Sequence, residues 1–362
     1  MNERLRPLIV IFGIDAVREK NMHQIRLLAR HGYTTHVFST QPRHGPSEPF
    51  AVFETLEPTT AGRLCQIMRF LRRHRRAAHH VEVIPSGRFA WIYALVTRAL
   101  RVKLLAVDVG VLTLCERRAY PLTTRMSMYL AFRLADRIWY KQPNAARLLD
   151  RWRLRSTFFL PNGVPLPPPS QTDDRSIDFL WVNRLIPERY PERFAEAVRD
   201  LSQTGPVTCD VLGFSGPGTT VEQAHLEQRV RSILAGVPSC RCYEYTDPVT
   251  FYERARFFVL PSDYEAGNFA LLEAMSHGVV PILTRGNGSE LIIESGRNGI
   301  LADTGVDALA SVMRAALSLE IEEWRSMSNA ARRTIEDRFS LERWGKRLLS
   351  EYATLSATGR VG

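Results

Sequence analysis

Pro-Ser-Asp-Tyr-Glu-Ala-Gly-Asn-Phe-Ala-Leu-Leu-Glu-Ala-Met, residues 261–275, follows an apolar run from Phe257 to Leu260. The run reads as a buried strand, the Gly-containing acidic segment as a turn, and the residues from about Phe269 as a helix. In an open α/β sheet, ligands bind where strands deliver their carboxyl ends into such turns. A helix start there supplies backbone N–H groups and a positive dipole end, which suit phosphate. Glu265 and Glu273, eight positions apart, add two carboxylates that can accept hydrogen bonds from hydroxyls of a sugar or a ribose. The stretch predicts a site for a nucleotide sugar.

The pattern around it extends in both directions. Strand-like runs occur at Pro7–Phe12, Thr34–Ser39, Val81–Ile84, Lys103–Val107, Ile138–Tyr140 and Phe158–Leu160, with helical stretches between them. After Pro165-Leu166-Pro167-Pro168-Pro169, a stiff extended connector, the alternation restarts at Ile177–Val182, Val207–Leu212, Arg241–Tyr245, Phe257–Leu260 and Val279–Leu283. Helices close the chain, at about Leu309–Ser318, Glu322–Arg338 and Leu341–Tyr352. Alternation of this kind predicts parallel sheets covered on both faces. The expected architecture is α/β, with two Rossmann-like doubly wound domains facing across a cleft. They cover residues 1–168 and 169–340, and a final helical segment, 341–362, crosses back to the first domain.

Composition narrows the class. The chain has 362 residues, 45% hydrophobic and 24% charged, which is ordinary for a globular protein with a real core. The longest apolar candidate for a membrane span, Phe89–Leu100, is too short and carries Arg98. The N-terminus lacks the form of a signal peptide. Cys65, Cys115, Cys209, Cys240 and Cys242 are too scattered for a disulfide framework, and Cys240-Arg-Cys242 has no second ligand pair for zinc. A reduced cytoplasmic protein is expected.

Charge is uneven. Residues 1–170 hold 27 Lys and Arg against 11 Asp and Glu, a net of +16, whereas the remainder carries a net of −6. A one-sided basic field points to an anionic partner: a membrane surface, a phosphorylated glycolipid or nucleic acid. Scattered surface charge from an arginine-rich proteome is the alternative. No helix-turn-helix, zinc or aromatic RNA-binding pattern supports nucleic acid. Residues 63–76 place Leu64, Ile67, Met68 and Leu71 on one helical face and Arg69, Arg72, Arg73 and Arg76 on another. Such a basic amphipathic helix either lies on anionic lipid or packs in the domain with a solvated basic face. A second basic and apolar stretch, Arg117–Arg137, includes Tyr120, Met126, Met128, Tyr129 and Phe132.

From about residue 177 to 300 the sequence resembles the donor-binding domain of the retaining glycosyltransferases of family 4, which have the GT-B fold. Asn183-Arg184-Leu185-Ile186-Pro187-Glu188-Arg189 resembles the family's Gly-Arg-Leu…Lys segment. Leu212-Gly213-Phe214-Ser215-Gly216-Pro217-Gly218 resembles its Gly-x-Gly-Pro turn. Glu265 to Glu273 matches the paired-glutamate motif. Gly286–Glu290 with Gly296–Gly299, and Pro161-Asn162-Gly163-Val164 at the hinge, match further turns. In the first half the resemblance is confined to the first strand, Gly13 and the alternation.

The resemblance implies roles. Arg184 and Arg189 stabilise the diphosphate as its negative charge grows in the transition state, a pair of surface salt-bridge arginines being the alternative. Glu273 accepts from the ribose hydroxyls, and Glu265 holds the transferred sugar; for each, a helix-cap or dipole-stabilising acid is the alternative. Backbone N–H groups of Asn268 and Phe269 meet the diphosphate or sugar, the base lies near Tyr243 and Tyr245, and Gly13 either allows the diphosphate to approach the first strand or is a plain turn glycine. Gly267-Asn268-Phe269 replaces the common Phe-Gly-Leu, which reshapes the sugar pocket. Where many relatives carry a histidine, this chain has Leu105-Ala106-Val107-Asp108-Val109-Gly110-Val111. Asp108 is then the nearest polar residue at the cleft, or else a structural strand-end aspartate. His277, before Gly278, reads as a helix C-cap. The resemblance further implies transfer of a hexose-type sugar from a UDP- or GDP-sugar, with front-side attack, no metal and no other cofactor. The acceptor would be a glycan or lipid-linked molecule of the bacterial envelope, with the protein peripheral on the inner face of the cytoplasmic membrane. A soluble relative acting on a small molecule and a non-catalytic nucleotide-binding scaffold stay open.

Overall fold

Runs such as Leu-Ile-Val-Ile-Phe at 8–12 and Phe-Phe-Val-Leu at 257–260 are apolar at every position rather than alternating. That is the pattern of strands covered on both faces, and these runs form central strands of two parallel sheets. The computed structural model describes residues 6–43, 46–110, 112, 120–169, 175–216, 219–262, 268–286 and 288–357. They divide into two units, one ending at Pro161 and resuming at Gly345, the other running from Asn162 to Trp344.

The first unit comprises β1 (Leu8–Ile14), α1 (Glu19–Arg30), β2 (Thr34–Ser39), β3 (Ala51–Thr55), α2 (Thr60–His74), β4 (Ala78–Val83), α3 (Ala90–Ala99), β5 (Leu104–Asp108), α4 (Leu122–Leu134), β6 (Arg137–Tyr140), α5 (Ala145–Arg151) and β7 (Thr157–Phe159). Its sheet has the order β3-β2-β1-β4-β5-β6-β7, and every pairing is parallel. The second unit comprises β8 (Ile177–Val182), α6 (Pro191–Ser202), β9 (Cys209–Phe214), α7 (Val221–Leu234), β10 (Cys240–Glu244), α8 (Val249–Tyr252), β11 (Ala255–Leu260), α9 (Phe269–Ser276), β12 (Val280–Thr284), β13 (Ile300–Ala302), α10 (Val306–Leu317) and α11 (Ile321–Thr334). Its sheet is also parallel, in the order β10-β9-β8-β11-β12-β13. Neither β3 nor β13 is among the strands read from the sequence. Both are edge strands, and β3 (Ala-Val-Phe-Glu-Thr) buries only Ala51 fully, so its composition is mixed.

The unit boundary lies ahead of the proline run. Val164 N–H donates to Phe339 O (2.9 Å) and Leu341 N–H to Val164 O (2.8 Å), while Arg332 donates to Pro167 O (2.8 Å). The connector is thus fastened to the second unit. α12 (Leu341–Ala357) starts in that unit and belongs to the first from Gly345 onward. There Tyr352, fully buried, hydrogen-bonds Glu82 of β4, Gln24 of α1 reaches the Tyr352 hydroxyl (3.2 Å), and Glu351 pairs with Arg137.

The basic amphipathic helix of residues 63–76 is α2, and most of its apolar face is already used, Leu64 being the exposed exception. Ile67 and Leu71 are fully buried in the core of the first unit, and Arg63 is buried, bonded to Glu57 O (2.6 Å) and the Tyr93 hydroxyl (3.1 Å). Arg69, Arg72, Arg73, Arg75 and Arg76 stay exposed. In the second stretch, Met128 and Phe132 are core residues and Met126 is exposed. Among the described residues no helix is long and apolar enough to cross a membrane.

Candidate functional site

The strand order of each unit reverses at one place: between β1 and β4 in the first sheet, and between β8 and β11 in the second. Strand connections leave in opposite directions there, which opens a crevice at the carboxyl edge. In the second unit this point carries the sequence-predicted cations. β8 ends at Val182, and Asn183 and Arg184 follow. A short turn, Pro187–Arg189, brings Arg189 back to the sheet edge, where its Nη1 donates to Ser262 Oγ (2.9 Å), just beyond the end of β11. Arg189 and Ser262 therefore straddle the switch point. Arg184 is exposed, its N–H is held by Asn183 Oδ1 (3.0 Å), and its guanidinium pairs with no carboxylate among the described residues. Asn183, standing where the family has glycine, thereby fixes the backbone at Arg184.

A second close approach lies beside it. Gly213, at the end of β9, has φ +123°, and a Cβ there would sit 2.0 Å from the Asn183 carbonyl oxygen. Only glycine meets both demands. Just after it, Ser215 N–H donates to the largely buried Glu227 of α7 (3.0 Å), which shapes the turn.

α9 begins at the carboxyl edge with Asn268 as its N-cap, whose Oδ1 accepts from Leu271 N–H (3.4 Å). Its positive end is thus at the edge, at Phe269. One turn on, Glu273 is mostly buried, and burial raises its carboxyl from the usual 4.5 to about 7; the neighbouring charge of Asp247 adds to this, and a hydrogen bond from the Tyr252 hydroxyl (3.4 Å) opposes it. Glu273 is therefore not a surface helix acid. His277 occupies the C-cap of α9, with its N–H on the Ala274 and Glu273 carbonyls. Tyr243, on β10, packs edge-on to Phe251 (centroids 4.8 Å apart), whereas Tyr245 is exposed beside Gly216. After β12, Gly286 N–H is held by Ser289 Oγ and Glu290 Oε1 (3.1 Å each), which closes that loop on itself. Glu265 and Gly267 lie outside the described residues.

The structure thus places Arg184, Arg189, Asn268 and Phe269 on the strand-end side of one sheet, with Glu273 one turn into the helix that starts there. Ser262, just past the end of β11, joins them, while Tyr252, which precedes the start of β11, reaches Glu273 from the other end of that strand; neither was singled out from the sequence. Ser262 sits directly after the apolar run, in Pro261-Ser262, and that position was its signal; Tyr252 had none, because its partner is 21 residues away.

In the first unit, Gly13 has φ +89°, and a Cβ would fall 2.1 Å from the Ile84 carbonyl oxygen, so β1 and β4 touch through bare backbone at the switch point. Ser86 Oγ donates to Gly13 O (2.9 Å). Asp108, fully buried at the end of β5, accepts at Oδ1 from Gly110 N–H (3.1 Å) and Leu112 N–H (3.0 Å). This holds the loop after the strand, the arrangement of a structural strand-end aspartate.

Comparison with known proteins agrees with the fold. Residues 166–334 match the family model described as "Glycosyl transferases group 1". Sucrose-phosphate synthase from Thermosynechococcus elongatus has a similar structure, with a TM-score of 0.79 at 18% identity, covering 98% of this chain and 100% of that one. HepE from Anabaena, solved with UDP and glucose, gives 0.77 at 13% identity over 96% and 100%. In sequence, the Escherichia coli UDP-Gal:alpha-D-GlcNAc-diphosphoundecaprenol alpha-1,3-galactosyltransferase is 27% identical over 148 residues. That match spans 38% of this chain and 36% of the relative.

Proposed function

Residues 166–334 are a glycosyltransferase group 1 domain in a chain of the GT-B fold, and on that premise we propose that the protein is a retaining hexosyltransferase using a nucleotide diphosphate sugar. The observation that carries this reading is the arginine pair at the switch point of the second sheet, with Arg189 anchored on Ser262 and Glu273 on the helix alongside. Arg184 and Arg189 bind the diphosphate. The bond from the sugar C1 to the β-phosphate oxygen breaks, the acceptor hydroxyl attacks C1 from the same face, and its proton passes to the departing phosphate oxygen. Two guanidiniums stabilise the charge that develops there more than the ground-state charge, so no metal is required. Glu273 accepts from the ribose, Glu265 from the sugar, and the Asn268–Phe269 start of α9 meets the phosphate or sugar. Tyr243 and Tyr245 border the base.

UDP-hexoses are the first donors to test, because the similar HepE structure holds UDP and glucose and the partial relative uses UDP-galactose. Calorimetry against UDP, GDP and ADP, followed by a donor panel with the anomeric product read by NMR, decides the matter. Donor turnover with retained configuration supports the reading, binding without turnover leaves a non-catalytic scaffold, and inverted product refutes it. Turnover that a chelator abolishes refutes metal independence.

The acceptor in this reading is a glycan or a lipid-linked sugar. Its support is an exposed apolar surface on the first unit: Trp91 and Leu95 of α3 lie beside Leu122, Met126 and Leu130 of α4, the two helices being joined by Trp91 N–H to Ser127 Oγ (3.3 Å). Arg88, just ahead of α3, and Arg133, near the end of α4, are exposed, and α2 with its exposed arginines contacts α3. Apolar side chains within a cationic rim complement an anionic bilayer. Flotation with anionic vesicles at low salt tests this; wild-type protein that stays unbound refutes it and leaves the small-acceptor reading.

A further inference from the structure

Tyr252 is a buried phenol that no part of the preceding mechanism uses. It closes α8, is 1% exposed, and among the described residues its hydroxyl has one hydrogen-bond partner, Glu273 Oε2 at 3.4 Å. A buried hydroxyl is costly without a partner, so its orientation is tied to that carboxylate. The surroundings hold the two elements in register. Arg175 Nη1 donates to Tyr252 O (2.7 Å) and Ala255 O (2.9 Å), and its Nη2 donates to His277 O (2.8 Å) at the end of α9. One guanidinium thus ties the end of α8 to the end of the helix that carries Glu273. The Tyr252 ring also lies against the His277 ring, with centroids 5.5 Å apart.

We propose that Tyr252 is a positioning residue for the donor: its hydroxyl holds one oxygen of Glu273 and leaves the other to accept from the ribose. The inference rests on the reading that Glu273 binds the ribose, and goes beyond it by assigning the group that keeps Glu273 competent. Burial favours the neutral acid, as does Asp247, and the Tyr252 hydroxyl favours the carboxylate. The other charged groups around this pair face His277: Glu253, Arg175 and Arg332. A donor to the charged form lowers a carboxyl pKa. Removing only the hydroxyl must therefore move Glu273 further toward neutrality and weaken ribose binding near neutral pH.

The test uses the full chain and Tyr252→Phe, which keeps the ring packing. Carboxyl carbon NMR, with Glu273→Gln to assign the resonance, gives the Glu273 midpoint in the free protein. Calorimetry with whichever of UDP, GDP and ADP the wild type retains gives affinity against pH. The expected result is a midpoint raised by about half a unit or more in Tyr252→Phe. Affinity should fall about two- to fivefold near pH 7 and converge with wild type by about pH 9, where both carboxyls are ionised. An unmoved midpoint overturns the proposal, as does an equal affinity loss at every pH, which would mark a packing effect. The parent reading fails separately: if Glu273→Gln binds the nucleotide as wild type does, or if none of the three binds, Glu273 is not the ribose acceptor and Tyr252 does not serve the donor.

Discussion

The two sheets share the strand order 3-2-1-4-5-6 counted within each unit, with a seventh strand added to the first. Their switch points nevertheless differ in chemistry. In the second unit the gap between β8 and β11 is spanned by a cation, Arg189 on Ser262, with Arg184 exposed beside it. In the first unit the gap between β1 and β4 is closed by backbone, with Gly13 against Ile84 and Ser86 on Gly13 O. The charged side chains that follow there are of both signs: Asp15, joined to Thr40, and Arg18 after β1, and the exposed Arg88 after β4. Strand order provides a crevice, and the residues that follow the strands decide what it attracts. The overall +16 of the first 170 residues therefore says little about its strand ends, because much of that charge lies on helices such as α2.

The comparison is most exposed to failure at Arg189. Arg189→Ala should lower turnover about a hundredfold, as expected for removing one group aimed at developing charge, with the melting temperature little changed. Near-normal turnover in steady-state assays would remove the distinction between the two switch points.

The glycine contacts come next. Alanine at Gly213 or at Gly13 must adopt positive φ and place a Cβ about 2 Å from a carbonyl oxygen. Each should cost about 2 kcal/mol or more in denaturant unfolding. A Gly13→Ala chain that unfolds like wild type would show that β1 and β4 can part without loss.

Glu273 gives a smaller effect with a definite sign. Its folded value, about 7, lies above its ordinary 4.5. Its contribution to stability is therefore full below about pH 4.5 and is lost as pH rises through 7. Glu273→Gln should match wild type near pH 4 and exceed it by on the order of 1–3 kcal/mol at pH 8, while binding nucleotide more weakly. Parallel melting curves across this range would contradict the buried carboxyl.

The smallest effect sharpens the contrast. Asp15→Asn removes an exposed acid at the first unit's strand end, and stability should change by less than about 0.5 kcal/mol. Nucleotide affinity should change less than about twofold in calorimetry. A large gain in affinity would mean that the first unit also senses the phosphate.

The alternation of apolar runs and helices was enough to read two parallel sheets, because strands buried on both faces cannot hide their composition. Half-buried edge strands such as β3 can, and did. The arginines were legible through the resemblance of their segment to a known family, and Glu273 also through its place after a strand-to-helix turn, both features of a local stretch of chain. The partners that define their behaviour were not. Ser262 lies 73 residues from Arg189, Tyr252 lies 21 from Glu273, and Ile84 lies 71 from Gly13. The helical period of residues 63–76 was likewise in the sequence, but only packing decided that Ile67 and Leu71 of its apolar face belong to the core while Leu64 stays exposed, and that α3 and α4 carry exposed apolar residues of their own. Sequence determines what a segment offers over a few turns, since periodicity and strand-end chemistry are local. Burial, and with it the pKa of a carboxylate and the availability of an apolar face, depends on which distant segments the fold brings alongside.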